Sequence, residues 1–289
     1  MKGDRSRPRD PGSIADSDSV AAMPVQLQGA RVLLTGATGG IGGAIARALH
    51  ERGAHVLLSG RREEQLAALA EELGKRGEVI PADLAAPSSV SMLAERAGQL
   101  DVLVANAALP ASGPLDDFTE EQIDRALNVN LRAPIQLSRI LAPGMAERGA
   151  GQLVFISSIA GKIAPSGSSL YSATKFGLRG FGQALREDLH GTGVGVTTIY
   201  PGFIRDAGMW ADTGLATPGG LRTSSPEQVA DAVVRGIETG KGEIDVAPVE
   251  VRASAKLAGV APGLVAAVQR RAGGKEAGAE VGVAQRDKR

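Results

Sequence analysis

Seven continuous apolar runs mark this chain, at 31–35, 54–59, 77–81, 101–105, 151–157, 194–200 and 243–247. Runs such as LVFIS do not alternate with polar residues, so each predicts a strand covered on both faces, as in a parallel sheet. Between them, apolar residues recur at three- and four-residue spacing over 40–52, 62–74, 87–98, 119–148, 168–190 and 226–239, which predicts amphipathic helices. The alternation of strand and helix implies an α/β fold: a doubly wound, Rossmann-like parallel sheet of about seven strands with helices on both faces. No repeat with a period of 20–50 residues is visible. The alternation breaks at 203–225, a long segment mixing glycine with apolar side chains and holding the only tryptophan, Trp210. Such an insertion predicts a lid or binding loop, with a plain surface connection as the alternative.

Length and composition set the limits of this picture. A chain of 289 residues, 43% hydrophobic, suits one generous α/β domain with appendages. The domain is expected over 28–250. Residues 1–27 are polar and aperiodic and read as a disordered tail, within which Met23 offers an alternative start. Residues 251–289 read as an extension, partly helical and then disordered from about 272. Its first part is interrupted at Pro262 and Gly263 and is expected to pack on the domain, form a subunit interface or touch a membrane surface. Lysine plus arginine equals aspartate plus glutamate at 32 each, so no net charge draws the chain to nucleic acid. The absence of cysteine excludes disulfides and thiol nucleophiles, and the three histidines lack acidic partners at ligand spacing, so no metal site is expected. No apolar run approaches the roughly 20 residues of a membrane span, and no secretory signal is evident, so the cytoplasm is the expected location.

Two motifs carry chemistry. In RVLLTGATGGIGGAIARAL a strand runs into Gly36, Gly40 and Gly42 and then into a helix with Ile41, Ile45 and Leu49 on one face. Glycine permits the tight turn and lets backbone N–H groups approach a pyrophosphate, and the helix N-terminus favours an anion. In SLYSATKFGLRGF, Tyr171 and Lys175 lie at positions i and i+4 of a helix and so share a face. A neighbouring ammonium stabilises a phenolate, which predicts a tyrosine with a lowered pKa that exchanges a proton with a substrate oxygen. Ser158 ends the fifth strand on the side where open α/β sheets bind ligands, whereas Ser157 faces the other way.

TGATGGIG, Asp83, NAA, Asn130, Ser158 and YSATK, in this order, resemble the short-chain dehydrogenase/reductase family across about residues 28–247. The resemblance implies an oxidoreductase acting on carbonyls or alcohols. Tyr171 is then the general acid or base, Lys175 the partner that tunes it and grips the nicotinamide ribose, and Ser158 the hydrogen-bond donor to the substrate oxygen. Asn130, with Asn128 as the neighbouring alternative, holds a water in the proton relay. The implied cofactor contacts are Gly36, Thr38, Gly40, Ile41, Gly42, Asp83, Leu84, Asn106, Pro201, Gly202 and Ile204, joined by Tyr171 and Lys175. Asp83 reads alternatively as a helix N-cap. Gly60 stands where an acidic residue would hold an adenosine ribose, and Arg61 and Arg62 follow it, so NADP(H) is preferred and NAD(H) remains possible. Alternatively, both arginines begin a solvated helix and pair with Glu63 or Glu64.

The chain departs from the family pattern at Ala105 and Ala108, which replace an asparagine and a glycine, and at Asp206, which stands in place of a threonine that contacts the nicotinamide amide. A carboxylate there would repel nearby phosphates. Pro110–Leu115, Ile159–Ser169 and the 203–225 segment are expected to line the substrate site, and their small or apolar residues favour a small to medium apolar carbonyl or secondary alcohol. The helices at 119–148 and 168–190 imply a homodimer or homotetramer. Two competing readings are a nucleotide-sugar epimerase or dehydratase, disfavoured by the glycine spacing, and a non-catalytic nucleotide sensor or scaffold.

Overall fold

In the computed structural model, which describes residues 24–217, 220–271 and 273–288, each apolar run becomes a strand. They are β1 (Arg31–Thr35), β2 (His55–Ser59), β3 (Gly77–Val79), β4 (Val102–Ala105), β5 (Gly151–Ile156), β6 (Val194–Pro201) and β7 (Glu243–Val246). All pair in parallel, in the order β3-β2-β1-β4-β5-β6-β7. The continuous apolar character has a direct cause in β1. Val32 and Leu34 enter the core on one face of the sheet and Leu33 the core on the other, and all three are fully buried. The strand order reverses between β1 and β4, so the crevice beyond their carboxyl ends is where such a sheet binds ligands.

Helices α1 (Gly40–Glu51), α2 (Glu63–Leu73) and α8 (Pro226–Thr239) cover one face, through Ile45, Leu66 and Val233. Helices α3 (Pro87–Ala97), α5 (Ala133–Glu147) and α6 (Ser169–Asp188) cover the other, through Leu93, Leu137 and Leu178. The region 119–148, expected as one helix, is divided. Thr119 and Gln122 form a reciprocal capping box at the start of α4 (Glu120–Leu127). A π turn at Asn128–Arg132 then separates α4 from α5. Pro134 is the physical reason: it has no N–H for the Asn130 carbonyl four residues back. The ladder widens there, and the Ala133 N–H reaches Asn128 instead.

The ends differ from expectation. Residues 1–23 of the expected tail lie outside the described residues, but the Val25 N–H donates to the Ile237 carbonyl at 3.3 Å and Leu27 is buried. The segment from 272, expected to be structureless, includes a helix. After α9 (Val249–Val260) and α10 (Pro262–Arg271), α11 spans Gly274–Ala284. The insertion after β6 holds the short helix α7 (Gly208–Ala211) and returns beside itself through a bridge between Ile204 and Ser224.

Candidate active site

Ser158 lies two residues past the end of β5 and caps the turn Ile159–Gly161, its Oγ accepting from the Ala160 N–H at 3.1 Å. Its hydroxyl donates to the Pro201 carbonyl at 3.4 Å, which links the ends of β5 and β6. Ser157, expected to face the other way, also borders the cavity, and its hydroxyl donates to the Lys175 main-chain carbonyl at 3.0 Å. Sequence reasoning missed this tie, which fixes α6 against the strand end. Tyr171 lies in the first turn of α6, and its N–H donates to the Ala111 carbonyl at 3.1 Å. Ser158, Tyr171 and Lys175 all line one cavity of about 1190 Å³.

The electrostatics of this cluster run against the sequence expectation. Lys175 is only 2% exposed; its ammonium donates to the Ile156 carbonyl at 3.0 Å and stands 5.6 Å from the centre of the Tyr171 ring. Burial pushes the phenol up to about 12, with the Ser158 hydroxyl pulling the other way, and pushes the ammonium down to about 8. Desolvation sets the direction of both shifts, so the phenol is raised where the spacing predicts it lowered.

Asn130 sits deep beside this cluster. It is 1% exposed, and its side chain binds the backbone of Leu109, accepting from the N–H at 2.7 Å and donating to the carbonyl at 3.0 Å. A weaker contact of 3.5 Å reaches Thr174 Oγ1. The side chain thus braces the segment after β4. Asn128 binds the Ala85 carbonyl at 3.2 Å, away from the cluster.

The glycine loop forms the other half of the cavity, lined by Gly36, Thr38, Gly40, Ile41 and Gly42. Gly36 has φ +66°, and a Cβ there would meet the Ala107 Cα at 2.7 Å. At Gly42 a Cβ would meet Ala37 Cα and Gly36 C, both at 2.9 Å. Any side chain would therefore push the loop off β4 or off α1. Helix α1 starts without a side-chain cap or an acidic residue in its first turn, leaving N–H groups for an anion. Asn106 spends its side-chain amide on the Thr35 and Gly36 carbonyls, at 3.0 and 3.1 Å, so it fastens the loop to β4 while lining the cavity. With the Thr35 hydroxyl accepting from the Asn106 and Ala107 amides, the junction keeps its shape despite Ala105 and Ala108.

At the end of β2, Arg61 and Arg62 line the cavity beside Gly60. Arg62 folds onto the glycine loop, donating to the Thr38 carbonyl at 2.8 Å and to Thr38 Oγ1 at 3.0 Å. Among the described residues neither arginine pairs with Glu63 or Glu64, and Arg61 has no side-chain partner. Ser59 adds a buried hydroxyl without a partner among the described residues, pointing to a polar ligand at this strand end. Asp83 does not cap α3, whose N-cap is Ala86; one carboxylate oxygen accepts from the Ala85 N–H at 3.1 Å and the residue is exposed at the cavity wall. Leu84, Pro201, Gly202 and Ile204 complete this side.

Asp206 is placed differently from the sequence expectation. It has φ +65°, the only positive φ outside glycine among the described residues, a conformation aspartate tolerates. Its side chain is 72% exposed, pairs with Arg205 at 3.1 Å, and faces a shallow hollow on the outside of the insertion. The carboxylate therefore does not line the main cavity.

Groups suited to a dinucleotide and groups suited to proton transfer thus share one cleft. A sequence profile described as short chain dehydrogenase matches residues 30–216. The ketoacyl reductase HetN of Nostoc sp. is 36% identical over 227 residues, 76% of this chain and 79% of that protein. The 3-oxoacyl-[acyl-carrier-protein] reductase FabG of Rickettsia conorii is 36% identical, covering 63% of this chain and 75% of its own. A short-chain dehydrogenase from Sphingobium yanoikuyae in complex with NADPH superposes with TM-score 0.71 at 28% identity, over 81% of this chain and 94% of that one. The closed form of serine dehydrogenase complexed with NADP+ gives 0.69 at 31% identity, over 76% and 95%. The chain belongs to the short-chain dehydrogenase/reductase family and acts on CH–OH or C=O groups.

Proposed function

We propose that the chain is an NADP(H)-dependent oxidoreductase for a small to medium, largely apolar carbonyl or secondary alcohol. The observation that carries this reading is the single cavity in which Ser158, Tyr171 and Lys175 face the same space as the glycine loop and Arg61. The uncapped first turn of α1 and the unpartnered Ser59 hydroxyl fit a dinucleotide, and Arg61 offers a guanidinium to a 2′-phosphate where an acidic residue would repel it. Gly36, Thr38, Gly40, Ile41 and Gly42 hold the pyrophosphate, Asp83 and Leu84 the adenine side, and Pro201, Gly202 and Ile204 the nicotinamide side. When bound, the nicotinamide donates or accepts the hydride.

The protein's own contribution is alignment and proton handling. Ser158 holds the substrate oxygen by a hydrogen bond. Tyr171, protonated at neutral pH and held so further into the alkaline range by its burial, gives its proton to that oxygen as reduction proceeds. Lys175 grips the ribose hydroxyls, while Asn130 steadies the Leu109 segment at the rim. The names of the two reductases above make 3-oxoacyl thioesters the first substrates to try. Helices α4, α5 and α6 are the proposed homo-oligomer interface, and Phe176 stands 40% exposed on α6.

The test is turnover of a 3-oxoacyl thioester by the purified protein with NADPH, beside the Tyr171→Phe variant. Removing the phenol hydroxyl is expected to lower kcat by about 10²–10⁴-fold, with NADPH affinity retained. Equal kcat in both proteins would contradict the assignment of the acid.

A further inference from the structure

The matched family region ends at 216, and α9, α10 and α11 lie beyond it. These helices nevertheless border the cavity. Helix α9 shares a buried apolar cluster, through Val251 and Ala255, with Ile159 and Ile163 of the segment that follows Ser158. Helix α11 crosses the mouth. Gly278 lies backbone against backbone on Ser166 and Gly167, where a Cβ would meet the Ser166 carbonyl carbon at 2.8 Å and the Gly167 Cα at 3.1 Å. That turn leads into the first turn of α6, which carries Tyr171. On the far side, Gln285 donates to the Met209 carbonyl at 3.2 Å, Lys288 pairs with Asp212 at 2.8 Å and Arg286 with Asp117 at 2.9 Å. The end of the chain is therefore fastened to three loops around the cavity: 166–167, the insertion after β6, and the turn before α4.

The wall built this way is mostly apolar where it faces inward, with Ser254, Gln269 and Gln285 as its uncharged polar members. Val251, Val268, Ala277 and Val281 continue the surface begun by Ile159 and Ile163. Most charges on this rim are already paired: Asp212 and Asp117 as above, and Glu250 with Arg222 at 3.1 Å. Arg125 and Asp287, of opposite sign, are the others facing this side. A polar arm lying against the valine and alanine part of this wall would lose its hydration without replacement hydrogen bonds, whereas a methylene chain gains by burial.

Resting on the oxidoreductase reading above, we infer that the C-terminal segment Gly274–Lys288 is the distal wall of the substrate site. It selects a carbonyl compound bearing an unbranched apolar arm that runs from Ser158 and Tyr171 beneath α11. Val281 and Gly278 are its specificity-determining residues: one faces the arm, and the other sets the height of the wall.

The experiment measures kcat/KM with NADPH for N-acetylcysteamine thioesters from 3-oxobutanoyl to 3-oxododecanoyl. In the unaltered protein kcat/KM rises by about fourfold for each methylene taken out of water. Val281→Asp and Gly278→Val flatten that rise while leaving NADPH affinity unchanged. Arg286→Glu also flattens it, and adding Asp117→Arg restores it, which keeps the inference testable where Gly278→Val does not fold. A flat profile in the unaltered protein overturns the inference alone, as does a rise that survives in Val281→Asp and Arg286→Glu. Turnover of none of the thioesters by the unaltered protein overturns the 3-oxoacyl substrate reading and the inference with it.

Discussion

Lys175 and Tyr171 are held in charge states that burial imposes, and this has a measurable sign. The unfolded lysine keeps its proton to about 10.5, whereas the folded one releases it near 8. Between those values the unfolded chain binds more protons, so the stability of the ligand-free protein rises with pH across that window; below 8 the buried charge costs its full amount. Lys175→Met removes this rise and is more stable than the parent below pH 8. Tyr171 works in the opposite sense: its phenol stays protonated to about 12 against an ordinary 10.0, so its contribution to stability falls as pH climbs between them. Urea midpoints of parent and variant between pH 8 and 10.5 check the lysine prediction, and parallel curves would contradict it. A second residue-scale prediction concerns Asn130. Asn130→Ala leaves the Leu109 N–H without its partner in a buried place and is expected to cost about 1–3 kcal/mol. An unchanged unfolding free energy would remove its role as a brace. At this scale the sequence showed which side chains converge, because a strand end and an i, i+4 pair need only local geometry. It did not show that Asn130 binds Leu109, that Arg62 folds onto Thr38 or that Asp206 turns outward. Those depend on a π turn, a loop contact and a left-handed backbone that no spacing encodes.

Strands and capped helices read most directly from the sequence, because continuous apolar runs and caps are local signals. Helix α8 starts at a Ser225–Gln228 capping box with Pro226 at its first position, and its bounds of 226 and 239 are those the periodicity predicts. Ser225→Ala should lower stability by about 1 kcal/mol. For a domain of this size that is a fall in Tm of about 2–4 °C, with activity retained, since the cap touches no group of the proposed reaction. Calorimetry beside an activity assay checks it, and a variant that melts with the parent would contradict the cap's contribution. The 119–148 helix was legible as helical but not as divided, because its break comes from one missing N–H at Pro134 rather than from a loss of periodicity. Helix α11 was not legible. Its sequence, GKEAGAEVGVA, is rich in glycine, a poor helix former, and it is held by contacts remote in sequence such as Gly278 on Gly167.

For the whole molecule, the reversal of strand order between β1 and β4 opens a crevice that the glycine loop fills on one side and the Ser158–Tyr171–Lys175 cluster on the other. The sheet and its helices account for the family, and no described helix is long and apolar enough to cross a membrane. The insertion after β6 leans on this arrangement through Ala207, which sits against Gly40 at the start of α1, and through Gly208 beside Ile41. The insertion and the cofactor site are therefore coupled by contact, and the C-terminal segment closes the remaining side through its own contacts with the insertion. The central claim is that this cleft takes NADP(H), with Arg61 reading the 2′-phosphate. A fluorescence titration of the purified protein and its Arg61→Ala variant with NADPH and NADH tests it most directly. The account predicts tighter NADPH binding by the parent, and a loss of about tenfold or more in the variant, from the removal of one charge-assisted hydrogen bond to phosphate, with NADH binding unchanged. Equal affinity for the two nucleotides in the parent, or an Arg61→Ala variant that still prefers NADPH as strongly, would contradict it.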